Sequence, residues 1–286
     1  MTTTAAPGVP VADEARLIEK DARLREALAG LGSVIVAFSG GTDSAYLAWV
    51  ATSVLGSAAH CVTADSPSYP SRHRAIAQRL ARDFSLHHEF IVTSEMEKPE
   101  YRANEPDRCY YCKQELFTQL NALARERGIA AVLDGANADD RGDYRPGRKA
   151  ARELGVRSPL DDADLSKAEI RELSRRAGLP TWDEPASACL SSRIPYHSEV
   201  TREKLAMIER AEDALIALGF RICRVRHHGE VARLELGPDE MARAFEPATR
   251  DTIVRELKAI GYRYITLDLQ GYRMGSLNEG VRLQPV

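Results

Sequence analysis

Short apolar runs alternate with amphipathic stretches through the first 180 residues of the chain. Val34-Ile35-Val36-Ala37-Phe38 is unbroken and β-branched, the pattern of a strand buried on both faces. Three more runs read as strands: Ala58 to Ala64, His87 to Val92 and Ala130 to Leu133. Helical spacing fills the gaps, over Ala12 to Leu31, through Val50 after the first strand, over Arg72 to Phe84, up to Leu123, and from Ser166 to Ala177. Gly30 and Gly32 stop the first helix, and Ser166-Lys167-Ala168-Glu169 is a capping box. Strands alternating with helices predict an α/β fold with a doubly wound, mostly parallel sheet over residues 12–180. Residues 1–11 are small and polar and are expected to be disordered. The stretch from Thr93 to Asp107, charged and with two prolines, reads as a loop over the site.

After a proline-bounded linker at 180–185 the texture changes. A helix over Arg202 to Gly219 precedes a hairpin, Arg221 to His227 and Val231 to Leu236, turning at His228-Gly229-Glu230. Helical segments at Pro238 to Phe245 and Thr252 to Ile260 and a strand at Tyr264 to Leu269 complete a smaller α+β domain over residues 181–286. Arg224 and Arg226 alternate along one strand, so both can point to one face, as phosphate binding or a solvated edge would require. Cys223 then faces the core, as does Cys61 within the second strand.

Composition narrows the class. A chain of 286 residues with 44% apolar and 28% charged residues is ordinary for a globular protein, and a net charge of −3 makes no bulk electrostatic case for nucleic acid or membrane. No apolar stretch reaches membrane-span length, and the N-terminus has neither the basic region nor the apolar core of a secretory signal. Five cysteines, an odd number, do not suggest a disulfide scaffold. A cytoplasmic protein with reduced thiols is expected, without a nucleic-acid or membrane partner.

Candidate chemistry starts at Ser39-Gly40-Gly41-Thr42-Asp43-Ser44, between the first strand and its helix. A glycine turn there presents backbone N–H groups and the positive end of a helix dipole to an anion, with Asp43 and Ser44 as helix caps. No Gly-Lys-Ser/Thr follows, so this is not a Walker A loop. The second strand ends at Ala64-Asp65-Ser66, next to that turn, where open α/β sheets bind ligands. Asp134-Gly135-Ala136-Asn137-Ala138-Asp139-Asp140 follows the fourth strand, and so many polar groups there suit a nucleotide or Mg²⁺, or simply solvent. Cys109-Tyr110-Tyr111-Cys112 brings two thiols close enough to share a metal, form a disulfide or do neither. Cys189 follows the linker in Ser187-Ala188-Cys189-Leu190-Ser191-Ser192-Arg193; a thiol at a domain junction beside a cation is a candidate nucleophile.

The SGGTDS string resembles the PP-loop of the adenine nucleotide alpha-hydrolases, a Rossmann-like superfamily. That likeness implies that Ser39, Gly40, Gly41, Asp43 and Ser44 grip the pyrophosphate of ATP with Mg²⁺, and that Ala64, Asp65 and Gly135 lie at the nucleotide. TADSPSYP, NEPDRCYYCKQELF, DGANADDRGDYRPG, ELGVRSPL, PASACLSSRIPY, RVRHHGEVARLE and GYRMGSLNE together are similar to the LarE family of ATP-dependent sulfur transferases, from about residue 15 to the C-terminus. The resemblance implies adenylylation of a carboxylate of pyridinium-3,5-dicarboxylate mononucleotide and replacement of oxygen by sulfur, in nickel-pincer nucleotide biosynthesis alongside that pathway's other proteins. It also implies a homo-oligomer, a hexamer in the family. Ser192, Arg193, Arg224, Arg226 and Glu235 match the family's substrate region. In one branch of the family a lone cysteine matching Cys189 gives up its own sulfur and becomes dehydroalanine; in another, three cysteines hold a four-iron four-sulfur cluster. Cys109, Cys112 and Cys189 match the three-cysteine pattern, so a cluster is expected, with the sacrificial cysteine as the alternative. Other readings are a different PP-loop ATP pyrophosphatase, such as an NAD synthetase-like enzyme or a tRNA thiolase, or a metal-binding interaction module without ATP chemistry.

Overall fold

The computed structural model describes residues 11–142, 145–185, 188–273 and 275–278. The N-terminal residues 1–10, Asp143 and Tyr144 of the DYRPG stretch, Ser187, Met274 and Glu279 lie outside the described residues. Val11, expected in a disordered segment, instead opens the first helix.

The chain runs α1 (Val11–Ala29), β1 (Val34–Ala37), α2 (Thr42–Leu55), β2 (Ala59–Asp65), α3 (Ser71–Asp83), β3 (His87–Val92), α4 (Pro99–Ala103), α5 (Arg108–Arg127) and β4 (Ala131–Leu133). It continues through α6 (Pro146–Glu153), α7 (Pro159–Asp162), α8 (Lys167–Arg176), α9 (Arg202–Ala217), β5 (Cys223–His228), β6 (Val231–Leu236), α10 (Pro247–Ile260) and β7 (Tyr264–Leu267). β1 to β4 form one parallel sheet ordered β3-β2-β1-β4, with Val34 opposite both Ala59 and Ala131. Alternation along β1 covers both faces. Val34 and Val36 pack with α1, α2 and α8, while Ile35 packs with Phe117 and Leu120 of α5 and Ala151 of α6. A strand buried on both faces must be apolar at every position, which is the run seen in the sequence. The expected doubly wound α/β fold is therefore the observed one.

The second sheet, β5-β6-β7, is mixed: β5 and β6 form the antiparallel hairpin and α10 carries the chain to β7, parallel to β6. Its core joins Ala211, Leu215, Cys223, Val225, Leu234 and Leu257. Cys223 and Cys61 are both buried in the core, and burial pushes each thiol up to about 12, away from the reactive thiolate form.

The stretch 93–107 departs from its expected form. Instead of a loop it carries a 3₁₀ turn at Glu95–Glu97 and helix α4, and Met96 and Tyr101 pack against Leu190, Ile194, Leu205 and Ile208. Burying these side chains offsets the entropy of ordering the stretch, and it bridges the parallel sheet to the cysteine loop and α9. The Cys-x-x-Cys lies at the start of α5, so Cys109 and Cys112, three residues apart, share one helix face.

Candidate functional site

The turn after β1 closes on itself. Gly40 takes φ +71°, a conformation only glycine adopts freely, and a Cβ there would stand 3.3 Å from the backbone N of Ala77 on α3. Asp43 and Ser44 do not cap α2, because Gly41 occupies the N-cap position and no side chain caps it. Ser44 instead turns back: its hydroxyl donates to the Gly41 carbonyl at 3.1 Å, accepts the Ser39 N–H at 3.2 Å and lies 3.0 Å from the Ser39 hydroxyl. These bonds hold the loop in shape while the uncapped start of α2 keeps its dipole for an anion.

Lys167 opens α8, whose N-terminus is set by the Ser166–Glu169 capping box, and its ammonium pairs with one oxygen of Asp43. The other, Oδ1, is buried with no hydrogen-bond partner among the described residues. Buried carboxylate oxygens are normally satisfied, so this one fits a Mg²⁺. Asp139 and Asp140 are already engaged: Asp139 accepts the Lys167 N–H of α8 at 2.9 Å, and Asp140 accepts the Asn137 N–H of its own loop at 3.1 Å and pairs with Arg145 at 2.8 Å.

Gly135 brings the β4 loop against α2, with its absent Cβ only 3.2 Å from the Ser44 N. Gly135→Ala is expected to displace the start of α2 and weaken ATP binding about tenfold, measurable by titration calorimetry, with little change in melting temperature. Ala64 and Asp65 end β2 beside this loop; Asp65 is ion-paired to Arg74, and the Tyr69 hydroxyl donates to the Ser39 carbonyl at 2.9 Å.

From β2 the chain leads directly to the cysteines. The Leu190 N–H donates to the Ser68 carbonyl at 2.9 Å, tying the Cys189 loop to the segment that leaves β2. Cys189 precedes a 3₁₀ turn over Leu190–Arg193. Arg193 is 2% exposed and fully engaged: its Nε and Nη2 meet Glu212 at 2.8 and 3.0 Å, and its Nη1 donates to the carbonyls of Ala188 and Cys189 at 2.7 and 3.0 Å. It braces the loop that carries the thiol.

Arg108 lies between the helix turn that carries Cys109 and the loop that carries Cys189. The Arg108 guanidinium lies 4.0 Å from the Cys109 sulfur and donates to the Ser191 carbonyl at 2.8 Å. Burial would depress its pKa, but the charges of Cys189 and Cys109 hold it above the usual value. Burial pushes the Cys112 thiol well up, and the charges of Glu95 and Cys189 push it further. Cys112 packs against the cluster that contains Leu190, the neighbour of Cys189 in the chain. Among the described residues, no three metal-binding side chains close on a single ion. Thiolates are the donor type that an iron–sulfur cluster would take.

The remaining predicted residues adjoin this loop. Arg226 donates to the Ser192 carbonyl, to Glu235 and to the Ser276 hydroxyl, each at 2.7 Å. Glu235 is fully buried and also meets Arg233 at 3.1 Å. Arg224 lies over the Tyr272 ring, 5.1 Å from its centroid, and burial together with Arg193 lowers its pKa. The two arginines do share a face, and that face is buried rather than a solvated edge.

His73 on α3 faces the same group. Burial, with the charges of Arg72, Arg193 and Arg224, lowers its pKa to about 4 against the opposing pull of Glu212. Between pH 6.5 and 4 the unfolded chain binds this proton and the folded chain does not. The stability His73 withholds is therefore absent above pH 6.5 and grows as pH falls toward 4. His73→Gln is expected to flatten that part of a thermal-melt pH profile.

Arg108, Tyr101, Asn104, Lys167, Glu212 and Ser276 were not singled out from sequence as site residues. Arg108 stands next to a cysteine and Ser276 lies in GYRMGS, so motif adjacency was a usable signal for those two. Glu212 sits mid-helix, where a charged residue reads as a solvated face.

The Asparagine synthase family matches residues 21–141, the span from within α1 to just beyond β4. The chain is 44% identical over 255 residues to an uncharacterised Synechocystis sp. protein, covering 89% of this chain and 95% of that one. It is 39% identical over 266 residues to the Lactiplantibacillus plantarum pyridinium-3,5-bisthiocarboxylic acid mononucleotide synthase, covering 93% of this chain and 96% of that one. An uncharacterised Methanocaldococcus jannaschii protein is 28% identical over 242 residues, 84% of this chain and 90% of that one. With an SGGTDS loop at the end of a parallel strand and near full-length identity of this order, the chain belongs to the LarE family of PP-loop proteins.

Proposed function

We propose that this protein uses ATP to activate a carboxylate of pyridinium-3,5-dicarboxylate mononucleotide and replaces an oxygen by sulfur, toward the nickel-pincer nucleotide. The observation that carries the reading is the short path from the PP-loop to Cys189: Ser39 and Ser68 follow the adjacent strands β1 and β2, and the Ser68 carbonyl holds the Cys189 loop.

Ser39, Gly40, Gly41, Asp43 and Ser44 take the pyrophosphate, Ala64, Asp65 and Gly135 border the nucleotide, and Asp43 holds Mg²⁺. The substrate carboxylate attacks the α-phosphorus and pyrophosphate leaves. A carboxylate oxygen leaves poorly, whereas AMP leaves readily, so sulfur attack on the adenylylated carbonyl then expels AMP. Arg224 and Arg226 meet the substrate's phosphate and carboxylates, with Ser192, Arg193 and Glu235 fixing those guanidiniums and the loop between them. Cys109, Cys112 and Cys189 would hold a four-iron four-sulfur cluster, which would supply sulfide for the transfer. Residues 12–180 form the ATP unit, and 181–286 the substrate and oligomerisation unit of a cytoplasmic homo-oligomer acting with the pathway's other proteins. Among the described residues, no helix is long and apolar enough to cross a membrane.

A sacrificial Cys189 is the second reading, favoured by that thiol's placement alone at the loop's centre. Intact mass of anaerobically prepared protein, before and after reaction with ATP, Mg²⁺ and the mononucleotide, separates the two. Thiolated product with an unchanged polypeptide is expected. A polypeptide lighter by hydrogen sulfide at Cys189 would establish the sacrificial route instead.

A further inference from the structure

Asn104 is fully buried at the end of α4 with φ +58°, the left-handed region that asparagine tolerates better than most residues. Its side-chain amide donates to the carbonyls of Ile194, Pro195 and Ser198 at 3.2, 2.7 and 3.0 Å, all in the segment that follows Cys189. Its backbone carbonyl accepts the His197 N–H at 3.1 Å. One turn on, Arg108 is 3% exposed, and a single nitrogen of its guanidinium reaches both the Asn104 amide oxygen and the Ser191 carbonyl. The other terminal nitrogen points to the Cys109 sulfur. Tyr101 adds a third strut, its hydroxyl 2.6 Å from that of Ser191.

These bonds cross between two segments about 90 residues apart in sequence, and each side carries a cysteine the other lacks. A planar guanidinium that meets the Asn104 amide oxygen and the Ser191 carbonyl through one terminal nitrogen and faces the Cys109 sulfur with the other fixes all three relative to one another, which an ammonium on a flexible stem does not do. We propose that Asn104 and Arg108 form a clamp that positions the Cys-x-x-Cys helix turn against the Cys189 loop, with Arg108 as its key. The inference rests on the reading of the three cysteines as one sulfur centre. It assigns the setting of their mutual distance to two residues that bind neither ATP nor substrate.

The test uses the full-length, metal-free, reduced chain, oxidised anaerobically with ferricyanide, its disulfides mapped by peptide mass. Cys109–Cys112 pairing lies within one helix turn and is the internal reference. The wild-type protein is expected to link Cys189 to Cys109 or Cys112 in competition with that reference. In Arg108→Gln and Arg108→Lys the ratio of Cys189-linked to Cys109–Cys112 disulfide is expected to fall about 10-fold to 100-fold, the penalty for misplacing a reacting group by about 1 Å. ATP binding should persist, showing that the parallel sheet is intact. Arg108→Lys keeps the charge and most of the volume, so it guards against a variant that fails to fold. If wild type and both variants link Cys189 equally well, the clamp is wrong while the three-cysteine centre stands. If Arg108→Lys alone links like wild type, charge rather than the fork matters and the clamp is likewise overturned. If the wild-type chain links Cys189 to neither cysteine, the convergence itself fails, and the three-cysteine reading falls with the clamp.

Discussion

Cys189→Ala is expected to abolish thiolated product while leaving ATP binding intact. Both sulfur routes pass through this residue, one as donor and one as holder of the sulfur centre, so the loss should be on the order of 10⁴-fold or more, the range seen when a reacting nucleophile is removed. Several features localise the effect to sulfur transfer. The Cys189 side chain is only partly buried and its backbone carbonyl, which anchors Ser192 and Arg193, survives the substitution. The PP-loop bonds among Ser39, Gly41 and Ser44 do not involve it. Pyrophosphate release from ATP with the mononucleotide should therefore continue, at least for one turnover, with the adenylylated substrate accumulating. Quenched-flow separation of ATP, AMP and thiolated product reads both halves. An alanine variant that still makes thiolated product would point to a PP-loop enzyme whose acceptor needs no cysteine, such as an ammonia-using synthetase.

The second large effect is on stability. Arg193→Met removes the partner of a carboxylate buried between α9 and the hairpin, since Glu212 is only 6% exposed and takes both Arg193 bonds. Breaking a buried pair from one side leaves an uncompensated charge, a cost of about 3–5 kcal/mol and a fall in melting temperature on the order of 10 °C. Arg224 and the Val225 N–H, 3.0 Å from Glu212, limit the damage. The pH dependence follows with a definite sign. Burial would raise the Glu212 carboxyl, but Arg193, Arg224 and the Val225 N–H outweigh it and hold it below the usual carboxylate value. A group whose folded pKa is depressed contributes stability that is present above its unfolded pKa and lost as pH falls through the folded one. Without Arg193 the folded value rises, so acid unfolding should begin at higher pH. The double variant Arg193→Met with Glu212→Leu should recover much of the loss, because no charge is then stranded. If the single variant melts like wild type at neutral pH, the pair is not the brace its geometry suggests.

The sequence by itself determined the parallel sheet and the place of its ligand turn. Val34 to Phe38 is apolar at every position because both of its faces are covered, and that constraint is local enough to read directly. The glycines of SGGTDS were equally legible, since Gly40 needs a positive φ whatever surrounds it. The capping box at Ser166 formed as written, because a cap depends on four consecutive residues. Only the tertiary structure decided the rest. Thr93 to Asp107 looked like a loop because its helix is five residues long and its two buried anchors, Met96 and Tyr101, find their partners about 90 residues away. Glu212 gave no signal, because a charged residue on a helix is solvated unless a distant arginine is folded onto it. Arg224 and Arg226 were readable as sharing a strand face, yet their burial depended on the tail that brings Tyr272 and Ser276 over them. The packing of Cys112 against the cluster that holds Leu190 is of the same kind. Periodicity reports what a residue needs from its neighbours in sequence, whereas a site assembled from α5, the turn at 190–193 and the β5-β6 hairpin exists only once packing has joined them.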